Sequence, residues 1–150
     1  MSPSHWGPST WLFIHTLVAK VKEESFPQIG QILTTNIINI SYNLPCPECA
    51  QHANEFWKTV NISNIKSKTD LINIIWVFHN RVNFRRKIPQ FKYENLIYYN
   101  TKNIINTYNI FANNFNTKGN MRLLNEAFHR NILLVSLKKW LIENIAHFEK

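Results

Sequence analysis

Apolar residues recur at spacings of three and four along most of this chain, the signature of amphipathic helices packed on one another. In the first segment Trp11, Ile14, His15, Val18 and Val21 share one stripe, with Lys20, Lys22 and Glu23 off it. Ser9 is the expected N-cap, its hydroxyl serving an unpaired N–H of the first turn. A second helix is expected from about Pro27 to Asn43, carrying Ile29, Ile32, Leu33, Ile37 and Ile40. Leu44-Pro45 ends it, because the residue before a proline is pushed out of the helical region. A third starts at the cysteines and runs to about Val60, with Pro47 suited to a first helical turn. After a polar loop over 61–68, Thr69 or Asp70 caps a fourth helix whose stripe is Leu71, Ile74, Ile75, Phe78 and Val82, ending before Pro89. A short fifth helix is expected around 92–100.

Beyond residue 100 the pattern weakens. Residues 101–120 are rich in Asn, with Gly119 near their end, and read as partly helical or as a loose connector. Residues 121–148 regain strong amphipathicity through Leu123, Leu124, Phe128, Ile132, Leu133, Leu137, Trp140, Leu141 and Ile145. That face has to be buried on the bundle, on a second subunit or on another protein. With no internal repeat and no strand pattern, the expected fold class is all-α. It divides into a domain over 1–100 and a segment over 101–150 of connector and C-terminal helix.

Composition sharpens this picture in three ways. A length of 150 residues suits one domain, and only 3 Gly argue for helices over turn-rich strands. The net charge of +8 would draw anionic partners, among which nucleic acid, a membrane surface and a dinucleotide are candidates. The basic residues are scattered apart from Arg81, Arg85, Arg86 and Lys87, so a solvated surface is the simplest reading and no nucleic-acid role is assigned. No apolar run reaches the roughly 18–20 residues of a membrane span, and no secretory signal layout is present at the N-terminus.

The chain has two cysteines, three residues apart in Pro45-Cys46-Pro47-Glu48-Cys49, too few and too close for a disulfide framework. At a helix N-terminus such a pair closes a small disulfide, and the free N–H groups there favour the thiolate that does exchange chemistry. By itself the motif also fits part of a zinc site, a thioredoxin-like redox pair, or two inert packed cysteines. Zinc would need further ligands, with His52 the nearest, and the helical pattern upstream is wrong for a thioredoxin-like β/α unit. Two more clusters shift the balance. Trp11 and His15 lie one turn apart after Trp6-Gly7-Pro8-Ser9-Thr10, and His79, Asn80 and Asn83 follow the apolar run Ile74–Phe78. Together they suit a planar, hydrogen-bonding ligand beside a dithiol, and the Arg81–Lys87 cluster could meet a pyrophosphate. Singly, each reads as ordinary helix-surface hydrogen bonding.

These three blocks, W-G-P-S-T-W-x-x-x-H, L-P-C-P-E-C-x-x-H and H-N-x-V-N, resemble in order and spacing the Erv/ALR family of FAD-linked sulfhydryl oxidases, over residues 5–100. The compact form looks most like members encoded by large cytoplasmic DNA viruses. The resemblance implies a four-helix bundle with a short fifth helix, often homodimeric, holding FAD at its mouth. Cys46 would meet thiol-containing protein substrates. Cys49 would pass electrons to the flavin, and O2 would be reduced to H2O2. Gly7, Trp11, His15, His52, His79, Asn80, Val82 and Asn83 match positions around the FAD, and Tyr98 or Tyr99 would stand near the adenine. No metal is implied. The family pattern expects Lys at position 88, where this chain has Ile88; Lys87, one place early, is the candidate phosphate contact. A second shuttle pair is absent, so direct oxidation at Cys46 is expected. A viral member would act in the host cytoplasm, in the viral factory, or in the virion, with the mitochondrial intermembrane space as the alternative. A flavin-free dithiol carrier and a basic interaction module are the competing readings.

Overall fold

Ser2, not Ser9, starts the first helix, α1 (Pro3–Lys20). The Ser2 hydroxyl accepts the Ser4 N–H at 3.2 Å, and Pro3 takes the first helical position, where a missing N–H costs nothing. Ser9 lies inside α1 and turns its hydroxyl back onto the Trp6 carbonyl at 3.1 Å. The residues around it could serve as a cap only if the helix did not extend through Pro8, and it does. The computed structural model of the chain describes residues 2–116 and 121–150, without the side chains of 121–124. Gly119 of the expected pattern therefore lies outside the described residues, as do the side chains of Leu123 and Leu124.

The next three helices follow the apolar pattern closely: α2 (Phe26–Tyr42), α3 (Pro47–Lys58) and α4 (Lys68–Arg85). Ile32 departs from the expected stripe and is exposed, while Ile29, Leu33, Ile37 and Ile40 are buried. The cap of α4 is Ser67 instead of Thr69 or Asp70. Ser67 accepts the Asp70 N–H at 3.1 Å while the Asp70 carboxylate accepts the Ser67 N–H at 3.1 Å, a capping box. Hydrogen bonding from the Lys66 backbone, first among its causes, holds the Asp70 carboxyl below the usual range.

The short fifth element is a 3-10 helix over Tyr93–Thr101. Three residues per turn line up Leu96 and Tyr99 on one edge, and that edge lies against α1. Within the Asn-rich stretch, residues 104–115 form α5 (Ile104–Phe115), capped by the Asn103 side chain accepting the Asn106 N–H at 3.0 Å. Its buried positions are Ile104, Thr107, Tyr108, Phe111 and Phe115, and it packs along α1, with Phe111 stacked on Phe13 at 5.0 Å. The last long helix, α6 (Met121–Glu143), is tied to α5 by the Tyr108 hydroxyl donating to the Leu134 carbonyl at 2.8 Å. Ala127, Leu134, Leu137 and Leu141 face inward on α6, whereas Phe128, Ile132 and Ile145 of the expected stripe are exposed.

Lys20, expected off the buried stripe, is only 5% exposed. Its ammonium donates to the Asn100 carbonyl at 3.1 Å and to the Lys150 carbonyl, so the chain after α6 folds over the end of α1. A single antiparallel bridge joins Val21 to Phe148, and among the described residues there is no β-sheet. The fold is all-α, and no described helix is long and apolar enough to cross a membrane.

At the end of α4, Lys87 has φ 57°, in the left-handed region. Ile88 N–H donates to the Asn83 carbonyl at 2.9 Å and Lys87 N–H to the Phe84 carbonyl at 3.2 Å, a Schellman cap built without glycine. Lys87→Gly is therefore expected to raise stability by about 1 kcal/mol, read from the urea midpoint. A lower midpoint would mean the lysine side chain contributes more than its backbone strain costs.

Candidate active site

Proline placement builds the chemical end of α3. Pro45 pushes Leu44 away from helical backbone and Pro47 begins the helix, so Cys46 becomes the N-cap, with φ −143° and ψ 111°. The Cys46 sulfur accepts the Cys49 N–H at 3.2 Å, and the two cysteines are joined as a disulfide with Cα atoms 5.2 Å apart. Both sulfurs thus lie at the positive end of α3, where a thiolate released by reduction is stabilised. His52, one turn on, has the exposed carboxylates of Glu48 and Glu55 each 3.6 Å from a ring nitrogen.

The disulfide opens on a cavity of about 370 Å³ bounded by the start of α1, the first turns of α3 and the end of α4. Gly7, Trp11, His52 and Val82 line it together with Cys46 and Cys49, and Arg85 and Arg86 bring positive charge to its wall. A Cβ built at Gly7 would meet nothing within 4 Å, so this glycine leaves a cradle that a ring system can fill. Trp6 also lines the cavity, and its buried indole N–H has no hydrogen-bond partner. A volume in the usual range for ligand pockets, mostly apolar and aromatic walls and two arginines suit a planar ligand with an anionic tail. A larger depression of about 430 Å³ near Asn61, Asp70 and Arg81 is lined by neither cysteine, and it brings no redox group to a ligand.

Behind the cavity wall stands a column of rings. His79 lies flat on Trp11 at 4.1 Å, and His15 stacks on Tyr99 at 4.6 Å. His15 Nε2 and His79 Nδ1 are 2.8 Å apart, so one ring donates and the other accepts, which requires at least one neutral imidazole. Burial lowers His15 to about 3, with the His79 charge adding to the effect, and burial lowers His79 to about 4. Both rings are therefore neutral at pH 7. In the unfolded chain they take up protons near 6.5. Acidification from pH 7 to 5 thus favours the unfolded state, because only that state binds the protons in this window. The expected loss of stability is of order 2 kcal/mol per histidine, measured by urea unfolding at the two pH values, and it should shrink in His15→Asn. An equal loss in wild type and variant would place the acid sensitivity elsewhere.

Not every residue singled out from the sequence meets the cavity. The Asn80 amide is engaged with the backbone of Phe91, accepting its N–H at 2.7 Å and donating to its carbonyl at 3.0 Å. The Asn83 amide in turn approaches the Asn80 carbonyl oxygen at 3.5 Å. These two asparagines hold the segment after Pro89 against α4. Lys87 stands exposed at the helix end, and Tyr98 is exposed with the Lys102 ammonium over its ring at 4.2 Å, while neighbouring Tyr99 is buried. Sequence reasoning missed Phe91, whose ring lies near His79 at 5.6 Å and His15 at 5.9 Å. It placed Arg85 and Arg86 in the Arg81–Lys87 cluster as a candidate for pyrophosphate, and both line the cavity. Phe91 carried no periodic signal, since its place depends on a loop pinned by Asn80.

Comparison with known proteins bears on this site. The model of the Erv1 / Alr family matches residues 8–105 of the chain. A protein of Invertebrate iridescent virus 3 named as an FAD-linked sulfhydryl oxidase is 31% identical over 93 residues, covering 60% of this chain and 62% of that protein. A protein of the same description from Invertebrate iridescent virus 6 is 30% identical over 95 residues, covering 59% and 86%. One from Fowlpox virus is 33% identical over 78 residues, covering 52% and 73%. The chain thus spans less than two thirds of the first of these relatives. No solved structure matches significantly.

Proposed function

The chain belongs to the Erv1 / Alr family, and from that premise we propose that it is an FAD-dependent thiol oxidase working through Cys46 and Cys49. The observation that carries the reading is the Cys46–Cys49 disulfide opening on an aromatic-walled cavity at a helix N-terminus. A thiolate of a protein substrate attacks the Cys46 sulfur at the cap, forming a mixed disulfide and releasing Cys49 as a thiolate. The α3 N-terminus stabilises that leaving group. A second substrate thiolate attacks its partner sulfur in the mixed disulfide and frees Cys46. The substrate leaves oxidised by two electrons, and the chain holds them as a dithiol. When bound, FAD supplies the two-electron acceptor by which the disulfide is restored and O2 is reduced to H2O2. Trp11 and Val82 offer flat and apolar contact for the ring system, Gly7 leaves room for it, and Arg85 and Arg86 meet the pyrophosphate charge. His15 and His79 back Trp11, while Asn80 and Asn83 brace the wall. Lys87 and Tyr98 are assigned the outer, solvent-facing part of the cofactor.

Residues 1–100 carry all of these groups and form the catalytic part; 101–150 cover its core. The named relatives are proteins of viruses, and a viral origin with action in the host cytoplasm or virion fits a disulfide-forming enzyme that must work against reducing surroundings. Self-association as a homodimer belongs to the same reading.

An absorbance spectrum of the purified chain tests the proposal. Oxidised-flavin bands that bleach with dithiol and return while oxygen is consumed are the expected result; a colourless chain that takes up no FAD would overturn it. Gly7→Ala is expected to leave the chain folded, since the added Cβ meets no protein atom within 4 Å, and to weaken FAD binding about tenfold or more, equivalent to roughly 1–3 kcal/mol of overpacking. Unchanged affinity, followed by flavin release on gel filtration, would put the cofactor elsewhere.

A further inference from the structure

The C-terminal end of α1 is a junction of three segments. Residues 144–150 form a strap across it. Lys22 N–H donates to the His147 carbonyl at 2.8 Å, and Glu149 N–H to the Lys20 carbonyl at 2.6 Å. The His147 Nδ1 atom lies 2.9 Å from the Ser25 hydroxyl. Phe148 anchors the strap, buried with its ring edge-on to Trp140 at 6.0 Å. The Lys20 ammonium reaches the strap at the Lys150 carbonyl, and the 3-10 helix Tyr93–Thr101 at the Asn100 carbonyl. A buried ammonium has three donors to satisfy, so this side chain is stable in place only while it holds both segments. Asn100 is next to Tyr99, whose ring covers His15 at 4.6 Å. From His15 the contacts run through His79, at 2.8 Å, to Trp11, at 4.1 Å, on the wall of the cavity beside the disulfide.

We propose that Lys20 is a positioning residue for the cofactor: by binding Asn100 and the C-terminal strap at once, it keeps Tyr99 on His15 and so keeps Trp11 set against the bound ring system. This rests on the oxidase reading for its ligand. It goes beyond that reading by giving residues 144–150, outside the stretch the family model matches, a part in holding FAD. Once the tie is cut, the Asn100 carbonyl turns to water and Tyr99 lifts from His15. Water then competes for the hydrogen bond between the two imidazoles, and the rings behind Trp11 lose their fixed orientation. Lys68 provides the matched comparison. Its ammonium donates to the Ala19 carbonyl at 2.9 Å, one residue from Lys20, but it ties α4 to α1 and not the segment that carries Tyr99.

The test sets Lys20→Met beside Lys68→Met in the full chain, each removing a lysine-to-carbonyl tie at the same end of α1. The first readout needs no cofactor: ring-nitrogen NMR of the histidines, with His15→Asn assigning the pair. Wild type and Lys68→Met should show one protonated and one bare nitrogen on each ring, and Lys20→Met averaged resonances. The second readout is FAD affinity by flavin fluorescence. It should fall about tenfold or more in Lys20→Met and hold in Lys68→Met. A chain ended after Phe148 keeps the buried ring, removes the Lys150 carbonyl and should move both readouts in the same direction; it decides the question if Lys20→Met does not fold. Unchanged histidine spectra, unchanged FAD affinity, or equal weakening in the two lysine variants overturns the proposal while leaving the oxidase reading intact. A wild type that takes up no FAD overturns the oxidase reading and this role together.

Discussion

Cys49→Ser is expected to abolish thiol-driven oxygen consumption, by a factor on the order of 10³ or more, while FAD remains bound. Serine keeps the size of the side chain but cannot form the disulfide that accepts electrons from substrate. Without that bond, a substrate thiolate at Cys46 has no leaving group and no pair of electrons enters the chain. The cavity itself is barely altered, because Cys49 contributes one side chain to a wall that also includes Gly7, Trp11, His52 and Val82. The two readouts therefore separate: oxygen uptake with dithiol falls to background, and the flavin spectrum of the variant stays. Turnover above a tenth of wild type would remove Cys49 from the electron path. Loss of flavin together with turnover would show that the sulfur matters to binding.

A chain ended after Asn100 is expected to be insoluble or to unfold without a cooperative transition. The catalytic residues would all be present, yet the core would not. Phe13 on α1 would lose Tyr108, against it at 5.6 Å, and Phe111, stacked on it at 5.0 Å. Also lost are the buried side chains of Ile104, Phe115, Leu134, Leu137 and Leu141. At roughly 1.5–3 kcal/mol for each large buried side chain, their removal is comparable with the whole net stability of a domain, about 5–15 kcal/mol. Lys20 would be left at the end of α1 without the carbonyl of Lys150 that it bonds. Soluble expression, a sigmoidal urea transition and flavin retention by the 1–100 chain would show instead that the first four helices suffice.

The sequence alone carried the positions of α2, α3 and α4 and the chemical identity of the α3 terminus. Those features are local: proline sets its own backbone and its neighbour's, and a three-four apolar period marks one face of one helix. It also carried the pairing of a dithiol with Trp11, His52 and Val82, because three spaced blocks matched one family. Local signals failed where caps competed. Ser9 gave way to Ser2, which Pro3 follows, and Thr69 and Asp70 gave way to Ser67, which has the Asp70 carboxylate three residues on to complete a box. Only the tertiary structure decided the fate of residues 101–150. An Asn-rich stretch with isolated Ile, Tyr and Phe has weak helical propensity, and α5 forms because α1 offers Phe13 and its neighbours a face to bury. The same holds for α6, whose apolar residues make two faces. Periodicity detects that both exist, but which one turns inward depends on where α5 and α2 stand. Burial of His15 beside His79, and the pinning of Phe91 by Asn80, belong to this class as well, since residues 64 and 11 places apart meet only in the folded chain.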